Sequence, residues 1–349
     1  MKRTAAYTIF SFLLAAAWIG GPAAGTADAQ IISKTGTTSA QFLNIPVGAR
    51  GSALGGAVTG STFDATSMYW NPAGLAGIET RQVMIEHSEW FADLRHNYVG
   101  AVLPIRGAGV VGLHVISLSM DDMEETTFEE QDGTGRMFGA GNYAVGISYA
   151  QYLMENFAIG GTIKYVHERI WHSSAGGFAV DFGTTYVTPF DGVRFGVRIA
   201  NFGQKMNIDG KDLDTTVDLE PGSAGNNNQI GARLATEEFD LPLMLQVGLA
   251  WDGYQSRNLR ATLMADGVSP SDANQSVNLG VELAFFEELL AVQAGLPELL
   301  LGSDRMFEFA LGGQVHYVLD NGLALNLGYA MNSHKFLGLT NRLSLKLNF

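Results

Sequence analysis

From about Arg81 to Phe349 the chain repeats one pattern: runs, most of them nine to thirteen residues long, in which large apolar side chains alternate with small or polar ones. Period-two alternation puts successive side chains on opposite faces of a strand, so each run predicts a strand with one apolar face. Fifteen candidates fall near 82–90, 96–105, 109–119, 141–152, 157–168, 177–188, 193–203, 229–236, 243–252, 258–267, 275–286, 289–297, 306–318, 322–332 and 339–349. Strands of soluble domains usually span about five or six residues. A tilted strand needs about 9–11 to cross a bilayer. Length therefore points to a membrane.

The faces agree. Between Phe157 and His167, Phe157, Ile159, Ile163 and Tyr165 share one face, while Ala158, Gly160, Thr162 and Lys164 share the other. Val193, Phe195, Val197 and Ile199 oppose Arg194, Gly196, Arg198 and Ala200, and Leu245, Val247, Leu249 and Trp251 oppose Gln246, Gly248 and Ala250. The second face is too small and too sparsely charged for a solvated exterior. It fits a crowded lumen with basic residues at Lys164, Arg194 and Arg198, and the bulky face then meets lipid. Trp90, Phe91, Tyr98, Trp171, Phe190, Trp251 and Tyr317 are expected in interfacial girdles. In the last run Leu343, Leu345, Leu347 and Phe349 share a face and the sequence stops at the aromatic. That ending resembles the C-terminal signal read by the assembly machinery of bacterial outer-membrane barrels.

Parity refines the count, because single-chain bacterial barrels have an even number of strands. With the C-terminus on the periplasmic side by analogy, the turns at 320–322 and 287–288 are periplasmic and the 298–305 and 268–274 loops are outside. A trace forward from the first strand makes 104–108, 153–156 and 189–192 periplasmic and 120–140 a long outer loop. The two traces agree only if 229–236 is not a wall strand. The expectation is a fourteen-stranded antiparallel transmembrane β-barrel, with an outer excursion over about 204–241.

The beginning of the chain sets the compartment. Lys2 and Arg3, an apolar run from Ala5 to Ile19, and Ala27-Asp28-Ala29 read as an export signal cleaved after Ala29. That divides the chain into a signal peptide (1–29), a lead-in with a luminal element (30–80) and the barrel (81–349), with an integral outer-membrane location after Sec-type export. Taking Lys2, Arg3 and Asp28 from 21 basic and 35 acidic residues leaves 19 and 34, a net charge of −15. This argues against nucleic acid, whose binding rests on neutralising phosphates. The absence of cysteine excludes disulfides and zinc–thiolate sites.

Residues 46–77 break the alternation. The segment PVGARGSALGGAVTGSTFDATSMYWNPAGLAG is rich in glycine and closes on Asn71-Pro72, a helix N-cap followed by proline in the first turn. Gly48-Ala49-Arg50, Gly55-Gly56-Ala57, Asp64-Ala65 and Tyr69-Trp70-Asn71-Pro72-Ala73-Gly74-Leu75 resemble the N-terminal signature of the PorV/PorQ family within the FadL-like outer-membrane barrels. Asn201-Phe202-Gly203 and Leu241-Pro242 also look like family landmarks. The resemblance implies a fourteen-stranded barrel with an N-terminal hatch in its lumen, marked here by Gly48, Arg50, Gly55, Gly56, Asp64, Asn71, Pro72 and Gly74. It also implies a role beside the type IX secretion system, as a shuttle that receives secreted cargo and passes it to a surface attachment complex. The alternative is a FadL-like channel for hydrophobic small molecules. Partners expected on this basis are outer-membrane lipid, the barrel-assembly machinery, type IX cargo and attachment-complex proteins.

Packing of the hatch follows from the residues themselves. Inward glycines at Gly160, Gly196, Gly248, Gly312 and Gly328 leave room for another backbone. Asp64 is an expected partner for Lys164, Arg194 or Arg198, although a wet lumen would also accommodate these cations. Other patterns carry no chemistry. The glycines lack the Gly-Lys-Ser/Thr of a phosphate loop and the spacing of a dinucleotide fold. The acids between Asp121 and Asp132 read as a solvated outer loop. Asp209, Asp212, Asp214, Asp218 and Glu220 miss the spacing and central glycine of a calcium loop. The seven histidines are scattered, so neither a metal nor a cofactor is expected, and no catalytic constellation can be assembled.

Overall fold

The computed structural model describes residues 36–218, 229–301, 305–320 and 322–349; the expected export signal, its cleavage after Ala29, and Glu220 lie outside them. Fourteen long strands form the wall: β1 (Gln82–Glu89), β2 (Arg95–Ile105), β3 (Gly109–Ser119), β4 (Ala140–Met154), β5 (Phe157–Ile170), β6 (Ser173–Val187) and β7 (Val193–Gly203). They continue as β8 (Met244–Gln255), β9 (Leu259–Pro270), β10 (Ser276–Phe285), β11 (Leu290–Leu299), β12 (Phe307–Val318), β13 (Ala324–His334) and β14 (Gly338–Asn348). Each is antiparallel to the next, and β14 pairs with β1 from Gln82↔Asn348 to Glu89↔Asn341. The sheet therefore closes into a barrel and leaves no edge strand, the condition for a sheet to exist in hydrocarbon.

Residues 230–233 are not in the wall. They pair with Asp214–Val217 in a separate hairpin inside the long connection between β7 and β8. A wall of fourteen strands with an excursion over 204–243 is thus what strand parity requires. The excursion is fastened to the barrel by Asp209–Gly210, which pair with Ser173–Ser174 of β6. A bridge from Met206 to Phe239 closes its base. Two further β residues, Met123–Glu124, pair with Met137–Phe138 in the 120–139 loop. Both long connections leave the same end of the barrel, and the opposite end carries short turns at 106–108, 155–156 and 256–258.

Side chains sort by face along every strand. In β5, Ile163 is 62% exposed while Thr162 and Lys164 on either side are buried at 1% and 5%. Ile147, Phe182, Leu249, Leu263 and Leu327 likewise point outward, and their neighbours Ser148, Asp181, Ala250, Thr262 and Gly328 face in. Leaving each large apolar side chain in water rather than hydrocarbon would forgo about 1.5–3 kcal/mol. A girdle of this size is stable only against lipid. Among the described residues no helix is long and apolar enough to cross a membrane; the strands do the crossing.

The lumen is occupied by the chain's own N-terminal stretch. Ser39 donates its backbone N–H to Asp240 in the excursion, at the long-loop end. At the other end Arg81 exchanges backbone hydrogen bonds with Phe349, immediately before β1 begins. Between these points run a 3-10 turn (Gln41–Asn44), two short helices, α1 (Ala49–Ala53) and α2 (Ser67–Trp70), and a second 3-10 turn (Pro72–Gly77). This stretch supplies half of the main core, including Phe42, Leu43, Val47, Leu54, Val58, Met68, Trp70 and Leu75, all buried.

Candidate functional site

The inner segment meets the wall at a set of inward glycines. Each of Gly160, Gly196, Gly248, Gly312 and Gly328 borders it. A Cβ at Gly160 would strike the Pro72 carbonyl, one at Gly196 the Thr59 carbonyl, and one at Gly312 the Ala53 side chain. A Cβ on Gly248 would lie 2.8 Å from Thr59 Cβ, and one on Gly328 3.1 Å from Ala49 Cβ. Tight approach is thus written into the strands as missing side chains. On the inner segment Gly48 has φ 84°, a left-handed conformation that favours glycine. It aims its N–H at the buried Glu86 carboxylate, which also lies 3.2 Å from Arg342 Nη1.

The motif residues fasten this segment. Arg50 extends from α1 in a two-pronged contact to Glu282 of β10, Nε–Oε2 2.7 Å and Nη2–Oε1 3.1 Å. Glu282 also takes bonds from Arg260 Nη2 at 3.1 Å and Gln293 Nε2 at 3.2 Å. Thr262 links Arg260 to Asp252, whose carboxylate in turn forks onto Arg194 at 2.8 and 3.1 Å. These ion pairs line a charged cavity of about 450 Å³ beside the inner segment. Asn71 accepts from Ala73 N–H at 3.2 Å, as an N-cap does, and donates to the carbonyls of Thr59 and Thr184 at 2.8 and 3.1 Å. A Cβ at Gly74 would overlap the Thr62 carbonyl.

Asp64 does not pair with Lys164, Arg194 or Arg198. It meets Lys346 of β14 at 3.3 Å and accepts from Thr66 Oγ1 at 2.6 Å. The three basic residues have other partners within the wall. Lys164 bonds Asp181 at 2.8 Å, Arg194 bonds Asp252, and Arg198 bonds Gln246 Oε1 at 2.9 Å while stacking over the Tyr69 ring at 5.1 Å. Tyr98 also departs from expectation: it is fully buried, facing the lumen, and its hydroxyl donates to Ala65 O at 2.7 Å. Trp90 and Phe91 pack on the buried His334 ring, with centroids 5.5 and 4.5 Å away, instead of facing lipid.

Several wall pairs slip in register, and one of these slips carries a buried ion pair. The β6–β7 register slips between Val180 and Phe182, where Asn201 adopts φ 62°. Asn201 N–H donates to Asp181 Oδ1 at 2.7 Å, its side-chain oxygen accepts from Lys164, and its Nδ2 reaches Pro242 O at 2.8 Å. One asparagine thus holds the bulge, the buried ion pair and the return of the excursion together. Above the bulge lies a cavity of about 600 Å³, walled by Leu118, Ile170, Ala175, Met206, Ile208 and Phe239 with Glu168 and Asn142 among them.

At the long-loop end the acids are spread over several contacts. Asp121 pairs with Arg95, and Glu125 lies 2.6 Å from Arg136 Nε. Asp209 and Asp214 both pair with Arg233. Asp212 accepts from His172 N–H and Ser173 Oγ at 2.9 Å each, and its other oxygen lies 3.0 Å from His172 Nδ1. Desolvation acts to raise the Asp212 carboxyl, but the bonds from His172 and Ser173 outweigh it and hold it below the ordinary aspartate value of 3.8. Among the described residues no cluster of three or more His, Asp or Glu side chains is arranged to hold a metal ion.

A family model described as "Type IX secretion system protein PorV" matches residues 27–224, more than half of the chain. The chain belongs to the PorV family. Its fold is shared with solved structures at low identity. The CymD monoaromatic hydrocarbon channel is 12% identical, with 87% of this chain and 97% of that one covered at a TM-score of 0.54. A Pseudomonas aeruginosa FadL homologue is 12% identical, with 87% and 98% covered at 0.54. The Ralstonia pickettii toluene transporter TbuX is 12% identical, with 86% and 97% covered at 0.52. No curated protein sequence matches the chain significantly. This PorV-family member is therefore an outer-membrane barrel with FadL-like architecture, associated through its family with type IX secretion. The family match ends at 224, inside the excursion, so β8 to β14 rest on the fold likeness.

Proposed function

We propose that the protein is a type IX secretion shuttle or scaffold that binds secreted cargo or partner proteins at its long-loop end, through the 120–139 loop and the 204–243 excursion. The observation that carries this reading is the filled lumen. Backbone from residues 48–77 touches glycines on strands around the circumference and is fastened by the Arg50–Glu282 fork. A barrel so occupied serves as a platform rather than an open pore, with residues 46–77 acting as a closed hatch. Long connections of such barrels face outward and short turns face the periplasm, which gives the two connections access to exported proteins. They carry exposed apolar side chains among the acids, including Phe128, Met137, Leu234 and Phe239. The test is affinity purification from outer membrane in native detergent. Secreted proteins bearing a type IX C-terminal domain should co-purify, and deletion of 123–137 or of 211–234 should abolish their recovery. Recovery of lipid alone would overturn the proposal.

A FadL-like route for hydrophobic molecules is the second reading. It is favoured by the apolar cavity above the β6–β7 bulge, where wall pairing is interrupted beside a 600 Å³ space. Uptake of a monoaromatic hydrocarbon into proteoliposomes, lost on Ala175→Trp within the cavity, would support it.

A further inference from the structure

The long-loop ends of β2–β5 carry the outward cations of the wall. Arg95 pairs across the strands with Ser119, Ser119 with Gly141, and Gly141 with Arg169. Cross-strand partners share a face, and the exposure of Arg95 and Arg169 makes that face the outer one. The other basic side chains described in the fourteen strands, Lys164, Arg194, Arg198, Arg260, Arg342 and Lys346, are buried in the lumen or line its charged cavity. Three strand intervals set Arg95 and Arg169 about 14 Å apart. Between them Ser119 and Gly141 leave a trough, because the nearest atom to a Cβ on Gly141 would be the Leu118 carbonyl, 3.7 Å away. Arg169 has no hydrogen bond or ion pair among the described residues. Arg95 pairs with Asp121 while both stay exposed, a contact worth little and easily exchanged.

The next row on the same face, closer to the membrane centre, is Asn97, Ser117, Tyr143 and His167. The hydroxyls of Ser117, Ser119 and Tyr143 have no hydrogen-bond partner among the described residues, and His167 Nδ1 is enclosed without one. Polar groups turned to hydrocarbon without partners are unfavourable, so this row calls for a polar occupant. The third row, Val99, Val115, Val145 and Tyr165, is apolar except for the one phenol. Polarity is not general around the rim: on the opposite wall Leu279 and Leu296 pair near the same end, both exposed. The acids that border the rows lie outside the two arginines. Glu89 is beyond Arg95, and Asp209 is beyond Ser174 and held by Arg233.

Along the strands this face passes from cations to hydrogen-bonding groups to hydrocarbon. We propose that it binds a phosphate-bearing, acylated glycolipid of the outer leaflet. Phosphate sits on Arg95 and Arg169, the sugar over Ser119, Gly141 and Tyr143, and the acyl chains along Val99, Val115 and Val145. A guanidinium fork matches phosphate oxygens, and a phosphate can replace Asp121 on Arg95 at little cost. A second copy of the chain could cover the apolar row but would leave Arg169 without a counter-charge, so charge complementarity selects the lipid. The inference stands apart from the proposed loop contacts, because deletion of 123–137 or of 211–234 leaves all three rows in place.

The test uses the full mature chain in dodecyl maltoside, with lipid titrated and bound species read by native mass spectrometry. The probes are synthetic diphosphoryl lipid A, its dephosphorylated form, and dioleoyl phosphatidylglycerol as an anionic lipid without the sugar. Saturable binding of the diphosphoryl form, about tenfold tighter than either control, is expected. Arg95→Gln combined with Arg169→Gln should remove that preference. Gly141→Trp, which fills the trough and leaves both charges, should weaken it, and Arg257→Gln at the short-turn end should leave it unchanged. Equal binding of the three lipids by the wild-type chain, or no saturable binding, overturns the proposal whether or not the variants fold. A preference that survives the double substitution also overturns it, as does a dimer of the chain that excludes the lipid.

Discussion

A single methyl group separates a wall that admits the inner segment from one that rejects it. At Gly196 an added Cβ meets the Thr59 carbonyl, a backbone atom that cannot rotate away. Overpacking costs about 1–3 kcal/mol even where side chains can yield. Gly196→Val is therefore expected to lower the unfolding temperature of the purified barrel, measured by heat-dependent migration on gels. At Gly267, where the nearest atom to an added Cβ is 3.9 Å away, substitution by Ala should leave it unchanged. Arg50 is the second residue on which the lumen depends. Removing one partner of a buried ion pair costs about 3–5 kcal/mol, although Arg260 would retain part of the compensation of Glu282. Arg50→Ala should loosen the inner segment and raise single-channel conductance in planar bilayers; an unaltered current would mean that the fork does not hold it. The residue pattern made these glycines and the motif legible. It did not reveal the partner of Asp64, because Lys346 is 282 positions away and no local signal joins them. Tyr98 was misread for a related reason. Its position near a strand end resembled a girdle site, but the alternation of β2 turns it inward to a carbonyl of the inner segment.

Among the elements, the strands were the most legible, because period two persists over lengths that only a bilayer requires. Their ends agree with the alternation to within a few residues, apart from β6, which begins at Ser173 where the sequence gives Ser and Ala rather than large apolar residues. The excursion was legible only through parity. Its local form, a hairpin over Asp214–Val217 and Ile230–Arg233 tied down through Asp209 and Asp212, depends on contacts to the β5–β6 turn that no spacing reveals. The Asp212 tie titrates. Its folded carboxyl lies below the ordinary 3.8, so the tie contributes fully at neutral pH and is lost as pH falls below that value through the folded one. Trp171, whose ring lies 4.4 Å from that of His172, should report the loss. Its fluorescence is expected to change on acidification in the wild type, and to be already changed at neutral pH in Asp212→Asn. Identical spectra for the two proteins at pH 7 would sink this.

On the scale of the molecule, β1 and β14 pair across almost the whole chain, and Phe349 is hydrogen-bonded to Arg81 beside that seam. Phe349 stands 56% exposed on the outward face with Leu343. Deleting it should lower the yield of folded barrel in the outer membrane several-fold while leaving export to the periplasm unaffected, as measured by fractionation and heat-dependent migration.

The inner segment enters at the long-loop end and leaves at the short-turn end, directly into β1. The molecule is thus a ring closed around its own thread. Closing the seam and filling the ring both depend on contacts of very long sequence separation, the kind that form slowly. Pulled from the long-loop end, the same thread would resist as a row of separate catches, first at Ser39 and Asp240, then at Arg50, then at Asn71, each giving way in turn.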